Sequence, residues 1–137
     1  MTKPIQCYIY FSVMKKRSGE MTVAEYKKLE LKLETHDHFM NQIVKAAESL
    51  GYDKIYHTWR SYHSPKGYLD LTLGRSRDGR LLYIEVKKEG DKLTPDQQKW
   101  FEFLTFVASL NKTIGVYVLY PHDWERIPSI LQGGDIG

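Results

Sequence analysis

The chain has 137 residues, of which 42% are hydrophobic and 13% aromatic, and 20 Lys and Arg against 17 Asp and Glu give a formal net charge of +3. This length and apolar content predict one packed domain and exclude intrinsic disorder as the main state. No apolar run approaches the roughly 18 residues of a membrane helix, so we expect a soluble protein without a membrane partner.

The first twenty residues combine an apolar run with a basic cluster. Residues 5–13 have the aromatic and β-branched composition of a strand, and Lys15, Lys16 and Arg17 follow where a signal peptide would carry its cleavage site. The single cysteine, Cys7, cannot form an internal disulfide and excludes a Cys-rich metal site. We therefore expect a cytoplasmic protein.

Two helices are predicted next. Thr22 and Glu25 have the spacing of a capping box and open a charged helix that runs to about Glu34. Apolar residues at steps of three and four from Phe39 onwards indicate a second, amphipathic helix that ends at Gly51. The boundary between the two helices, within residues 31–37, stays open.

The rest of the chain alternates strands and helices. Strands are predicted at 55–59, 69–73, 81–87 and 114–120, and the turn at Asp78-Gly79 makes the middle two an antiparallel hairpin. Thr94 caps a helix that runs to about residue 110, and a short helix at 123–131 is interrupted near Pro128. This order predicts an α/β domain with helices packed on a mixed central β-sheet.

Three charged residues stand within the predicted hairpin. Glu85 and Lys87 are two apart and share a strand face, and the hairpin sets Asp70 beside them. Two carboxylates on adjacent strands suit Mg²⁺ or Mn²⁺, and a nearby lysine suits a phosphodiester substrate. The alternative is an ordinary surface ion pair on a solvated strand face.

Four short blocks follow one another with compact spacing: HTWRS (57–61), SPKGYLDL (64–71), IEVK (84–87) and LTPDQ (93–97). Together they resemble the VRR-NUC nucleases of the PD-(D/E)xK, restriction-endonuclease-like superfamily, whose small members come largely from phages and bacteria. The resemblance covers about residues 36–124, with 5–34 as an extension of one domain over 1–137.

The resemblance implies a restriction-endonuclease-like fold and a Mg²⁺- or Mn²⁺-dependent endonuclease that cleaves DNA phosphodiesters, duplex or branched, much as dimeric Holliday-junction-resolving enzymes do. Asp70 and Glu85 would bind the metal, Lys87 would assist catalysis, and Gln97 would match a glutamine that opens the following helix. The protein would be located in the cytoplasm, and for a phage protein this would be the cytoplasm of the host cell. The alternative is a non-catalytic nucleic-acid-binding module with a degenerate site, and RNA is a further possible substrate.

Two positions depart from the family pattern. Leu69 stands where the family usually has a proline before the first acidic residue. His36 stands where the family generally has a glutamate, one turn before the aromatic that matches Phe39. Glu34 is therefore a tentative third metal ligand, with His36 and Asp37 as alternatives.

Other residues have a functional and an ordinary interpretation. Gln97 could serve only to close the capping box with Thr94. The apolar surface of the helix from 94 to 110 could be core, or that helix or the charged helix at 22–34 could form a homodimer interface. Cations and hydroxyls around the predicted loop could hold a phosphate or be plainly solvated; the candidates are Arg60, Ser61, Ser64, Lys66 and Lys88. More widely, basic residues such as Arg75, Arg77 and Arg80 could join one phosphate-binding face.

Overall fold

The computed structural model describes residues 21–58 and 65–133 of the chain. The predicted strand at 5–13, the basic cluster at 15–17 and Cys7 lie outside the described residues, as do three of the phosphate-contact candidates: Arg60, Ser61 and Ser64.

The described part begins with two helices and continues with a sheet interrupted by a third helix. The elements are α1 (Val23–Leu33), α2 (His36–Ser49), β1 (Lys54–His57), β2 (Leu71–Arg75), β3 (Arg80–Val86), α3 (Pro95–Ser109), β4 (Ile114–Leu119), a 3₁₀ helix (Pro121–Arg126) and α4 (Ile127–Gln132). None of the helices in the described ranges is long and apolar enough to cross a membrane.

The sheet has the order β1-β2-β3-β4. The first two pairings are antiparallel. Strands β3 and β4 are parallel, because α3 returns the chain to the end of the sheet where β3 begins. This mixed sheet with flanking helices confirms the predicted α/β, restriction-endonuclease-like architecture.

One face of the sheet carries the core. Leucine, isoleucine and valine side chains from β2 and β3 are buried against apolar residues of α2 and α4. Side chains alternate along β3, so Glu85 and Lys87 point away from this core, and Gln97 of α3 meets them there. Helices therefore cover both faces, and α3 is the one that faces the charged residues.

Strand β2 starts two residues later than the predicted strand at 69–73. The carboxylate Oδ2 of Asp70 accepts a hydrogen bond of 3.0 Å from the backbone N–H of Val86, so a side chain and not the β2 backbone is the partner of this donor. The regular ladder with β3 therefore ends at Leu71, which pairs with Ile84. This shift turns Asp70 from a strand residue into one that projects from the end of the hairpin.

The opposite end of the hairpin is fastened by a buried arginine. Arg75 is only 3% exposed, and its guanidinium donates to the carbonyl oxygens of Leu50 and Leu131 and pairs with Asp78. Because its donors are used inside the fold, the expectation that Arg75 joins a phosphate-binding face is wrong. Its role is to tie the hairpin turn to the ends of α2 and α4.

Candidate active site

The hairpin brings Asp70 and Glu85 together at the end of β3. Asp70 is held by the backbone N–H of Val86, the residue that follows Glu85. Glu85 is 2% exposed, and the side chain of Lys87 is 13% exposed. The alternative of an ordinary solvated ion pair is therefore wrong, because a buried carboxylate beside a second carboxylate is a costly arrangement that a surface pair does not have.

Gln97 connects the acidic and basic sides of this cluster. Its Nε2 donates to Glu85 Oε2 at 2.8 Å, and its Oε1 accepts from Lys87 Nζ at 2.8 Å. The same Oε1 accepts from the backbone N–H of Thr94, which closes the capping box of α3. The Gln97 side chain therefore contacts Glu85 and Lys87 in addition to capping the helix, and its role in catalysis stays a prediction.

Lys87 completes the cluster as a largely buried cation. Its Nζ lies 3.8 Å from Glu85 Oε2, beyond hydrogen-bond distance, so its firm partner is the Gln97 amide oxygen. A lysine needs three hydrogen-bond acceptors to satisfy its ammonium group, so Lys87 retains donor capacity in the cluster. That capacity suits an anionic substrate oxygen or a water molecule.

The electrostatics of the cluster favour an added positive charge. Burial, followed by the neighbouring Asp70 carboxylate, raises the pKa of Glu85 to about 8 against the opposing effects of Lys87 and His36. The physical cause is that removal from water and a nearby like charge both disfavour the ionised carboxylate. The raised pKa means that the cluster favours the protonated form of Glu85, and a bound cation would favour the ionised form instead.

The first turn of α2 reaches the same cluster through His36. Its Nε2 lies 3.2 Å from Asp70 Oδ2, and its Nδ1 lies 3.3 Å from Asp37 Oδ1. Burial lowers the pKa of His36, but the hydrogen bonds to Asp70 and Asp37 outweigh it, so that the pKa is raised. Of the three helix candidates, His36 is the one with a hydrogen bond to Asp70. Glu34, the tentative third ligand, instead bonds to Nδ1 of His38.

The loop before Asp70 is seated on the N-terminus of α3. Gly67 has a φ of +94°, and a Cβ there would lie 2.5 Å from the backbone carbon of Asp96. Tyr68 packs edge-on against Trp100 of α3, with ring centroids 5.0 Å apart. The sequence did not predict a role in the site for Gly67, Tyr68 or Trp100, although a glycine after Pro-Lys is a turn signal.

The remaining phosphate-contact candidates lie at the surface. Lys66, next to Gly67, is exposed, and so is Lys88, which directly follows the Glu-Val-Lys segment. Exposed cations close in sequence to the residues of a carboxylate cluster suit a polyanionic ligand. Arg60, Ser61 and Ser64 fall outside the described residues, so their role stays a prediction.

The donor set fits a hard divalent cation in part. Glu85 Oε1 is buried and has no hydrogen-bond partner among the described residues, so an oxygen stands ready beside Asp70. Carboxylate oxygens are the ligands that Mg²⁺ and Mn²⁺ prefer. Within 21–58 and 65–133, however, no three His, Cys, Asp or Glu side chains form a ready-made metal cage. The two carboxylates thus suit a cation chemically, but they do not by themselves make a complete metal site within the described residues.

Comparison with known protein families identifies the family of the chain. A family model described as the VRR-NUC domain matches residues 13–110, more than half of the chain. The chain belongs to the VRR-NUC family. This family is part of the restriction-endonuclease-like nuclease superfamily, and membership implies nuclease activity in general.

VRR-NUC membership carries two further general implications. Nucleases of this family generally use divalent metals, and a nuclease domain is expected to bind DNA. The matched range begins upstream of the stretch 36–124 that carries the motif resemblance, and it ends before β4. No curated protein and no solved structure matches the chain.

Proposed function

We propose that this chain is a metal-dependent endonuclease that hydrolyses DNA phosphodiester bonds. The observation that carries the proposal is the hydrogen-bonded series from Glu85 through Gln97 to Lys87, next to Asp70. The series joins a carboxyl group and a lysine at the end of β3, with a second carboxylate beside them, and this combination suits hydrolysis of a phosphodiester.

Each residue of the cluster has a separate role in this proposal. Asp70 and Glu85 would hold Mg²⁺ or Mn²⁺, and the bound ion would act as a Lewis acid on the phosphodiester. Lys87 offers its ammonium group to the attacking water or to the negative charge that develops on the phosphate. Gln97 is a positioning residue, because its amide fixes the direction of both Glu85 and Lys87. Glu34 stays a prediction as a third ligand.

The substrate is proposed to be DNA with a branched or otherwise non-standard structure, in the manner of a Holliday-junction resolvase. The family resemblance supports this choice, and the exposed Lys66 and Lys88, which are close in sequence to Asp70 and Lys87, favour a polyanionic substrate. Cutting two strands of a junction requires two active sites, so a homodimer is part of the proposal. The exposed aromatic side chains of α3 are its proposed interface.

The test is cleavage of a labelled four-way DNA junction, with linear duplex, flap, single-stranded DNA and an RNA duplex alongside. Each substrate is incubated with Mg²⁺, Mn²⁺ or EDTA. The variant Glu85→Gln removes the charge of the buried carboxyl group while keeping its shape. Glu102→Gln makes the same change on an exposed side chain of α3 that bonds only to Gln98 among the contacts described, and it serves as the control.

We expect metal-dependent cleavage by the wild type and by Glu102→Gln, and none by Glu85→Gln. Preference for the junction over linear duplex would support structure selectivity, whereas equal cutting of both would contradict it. Binding of DNA without cleavage in any metal would favour the alternative of a non-catalytic binding module. Full activity of Glu85→Gln would overturn the assignment of the site.

A further inference from the structure

The imidazole of His36 lies between two carboxylates at the edge of the metal-binding cluster. Its Nε2 lies 3.2 Å from Asp70 Oδ2 and its Nδ1 lies 3.3 Å from Asp37 Oδ1. A neutral imidazole has one N–H donor and one bare nitrogen acceptor, so it can donate to only one carboxylate at a time. Both contacts are favourable only if a second proton, or a metal cation, lies between one ring nitrogen and its carboxylate.

The Asp37 and Asp70 carboxylates differ in their exposure to solvent, and therefore in how strongly each would be stabilised by a cation. The Asp37 side chain is 89% exposed and is solvated by water, whereas Asp70 is 26% exposed and lies beside the buried Glu85. A histidine that binds a metal commonly donates its other ring N–H to a carboxylate, which fixes the tautomer and the ring orientation. The contact of Nδ1 with Asp37 is of this kind, and it orients the ring so that Nε2 faces Asp70, where a cation could take the place of the Nε2 proton.

We propose that His36 Nε2 is the third protein donor of the metal site, so that the ion is held by one nitrogen and the oxygens of Asp70 and Glu85. This inference rests on the proposed function. A second observation independent of His36 points to the same ion: Glu85 Oε1 is buried and has no hydrogen-bond partner among the described residues. For binding, Nε2 exchanges its contact with Asp70 for the ion.

The nearby carboxylates do not offer an equal third donor. Glu34 is engaged by His38 Nδ1, and Asp37 faces the far nitrogen of the His36 ring. A mixed set of nitrogen and oxygen donors changes which ion is preferred. Mg²⁺ takes oxygen ligands almost exclusively, whereas imidazole nitrogen binds later transition ions well and Mn²⁺ accepts both donor types. The site should therefore bind Mn²⁺ in preference to Mg²⁺.

The experiment is pulsed electron paramagnetic resonance of Mn²⁺ bound to the full chain, which detects the magnetic coupling of a directly bonded ¹⁴N nucleus. We expect this coupling in the wild type and its loss in His36→Gln. His38→Gln removes the neighbouring imidazole, which bonds to Glu34, and should keep the coupling. Asp70→Asn should remove Mn²⁺ binding itself. Thermal unfolding of each variant verifies that it is folded.

A second variant tests the choice of ion by calorimetry. His36→Glu replaces nitrogen with oxygen, so we expect the ratio of Mn²⁺ to Mg²⁺ affinity to fall by about tenfold while Mn²⁺ still binds. Mn²⁺ that binds through Asp70 but shows no ¹⁴N coupling, or coupling that survives His36→Gln, would overturn this inference and leave the proposed nuclease site standing. A wild-type chain that binds no Mn²⁺ would overturn both.

Discussion

Glu85 is a carboxyl group in a place that would otherwise suit an apolar side chain. It is 2% exposed on a strand whose neighbouring residues form the core. Its Oε2 is satisfied by Gln97, but its Oε1 has no partner among the described residues. An unsatisfied buried oxygen costs about 1–3 kcal/mol of stability, so the fold keeps it at a cost that binding of a cation would offset.

The pH dependence of stability follows from the same group. Without a bound metal, burial and the neighbouring Asp70 carboxylate raise the pKa of Glu85 from 4.5 to about 8. A raised folded-state pKa means that the folded chain binds the proton more tightly, so this stability is complete below pH 4.5 and is lost as pH rises to about 8. We expect the midpoint of thermal unfolding to fall over that range, relative to Glu85→Gln, which cannot ionise.

This comparison uses thermal unfolding of both proteins in EDTA at intervals from pH 5 to pH 9, a range of about four units chosen to bracket the shift. The difference between the two midpoints should change in favour of Glu85→Gln as pH increases. Parallel curves for the two proteins would contradict a buried, protonated Glu85.

At the scale of the secondary-structure elements, α3 and the hairpin are joined at two points. The capping box of α3 places Gln97 against Glu85 and Lys87, and Gly67 lies against the backbone of Asp96. The start of one helix thus fixes both the residues of β3 and the loop that leads to Asp70. The residues that cap α3 therefore also hold the residues of the site in place.

Gln97→Glu separates capping from catalysis. Glutamate also closes a capping box, so the free energy of unfolding should change by less than about 1 kcal/mol. The new carboxylate cannot donate to Glu85 and adds a like charge beside it, so cleavage should fall by roughly 10²-fold or more. Urea unfolding and junction cleavage measure the two effects. A loss of cleavage that is accompanied by a large drop in the free energy of unfolding would show that Gln97 acts only through the helix.

Gly67→Ala tests the second contact, between the loop before Asp70 and the start of α3. The variant combines a left-handed backbone at φ +94° with a Cβ placed 2.5 Å from Asp96. Gly79→Ala is the matched control, because Gly79 has φ +71° in open space. We expect Gly67→Ala to cost about 1–3 kcal/mol more in the free energy of unfolding. Equal destabilisation of the two variants in urea would show that the close approach to Asp96 is absent.

At the scale of the whole molecule, α3 has an apolar side without a partner in the described structure. The exposed fractions of Phe103, Phe106 and Leu110 are 57%, 62% and 73%. They lie three or four residues apart, so they share one side of the helix. The expectation that this surface is core is wrong for these side chains, because Leu104 is the helix residue that is buried.

The proposed dimer predicts the effect of changing that side. Phe103→Ser combined with Phe106→Ser should convert a species of twice the monomer mass into a monomer, because two large apolar contacts are lost on each copy. Thr105→Ser, on an exposed position of the same helix, should leave the mass unchanged. Light scattering after size-exclusion chromatography measures the mass. A wild-type chain that is monomeric at all concentrations would contradict the dimer.

The sequence by itself determined the order and type of the elements. Periodicities of two and of three to four residues, the Thr94 cap and the Asp78-Gly79 turn are local signals, and each depends on residues close together in the chain. The spacing of Glu85 and Lys87 on one strand face is equally local. The family resemblance, which depends on the order of short blocks, was likewise present in the sequence.

Only the tertiary structure decided which side chains meet. The burial of Glu85, the double role of Gln97, and the choice of His36 over Glu34 as the neighbour of Asp70 depend on contacts between residues far apart in the chain. Arg75 shows the same limit, since its sequence neighbours give a polar turn while its partners lie at the ends of two helices. Local patterns fix the backbone, but charges are paired and desolvated only when distant elements pack.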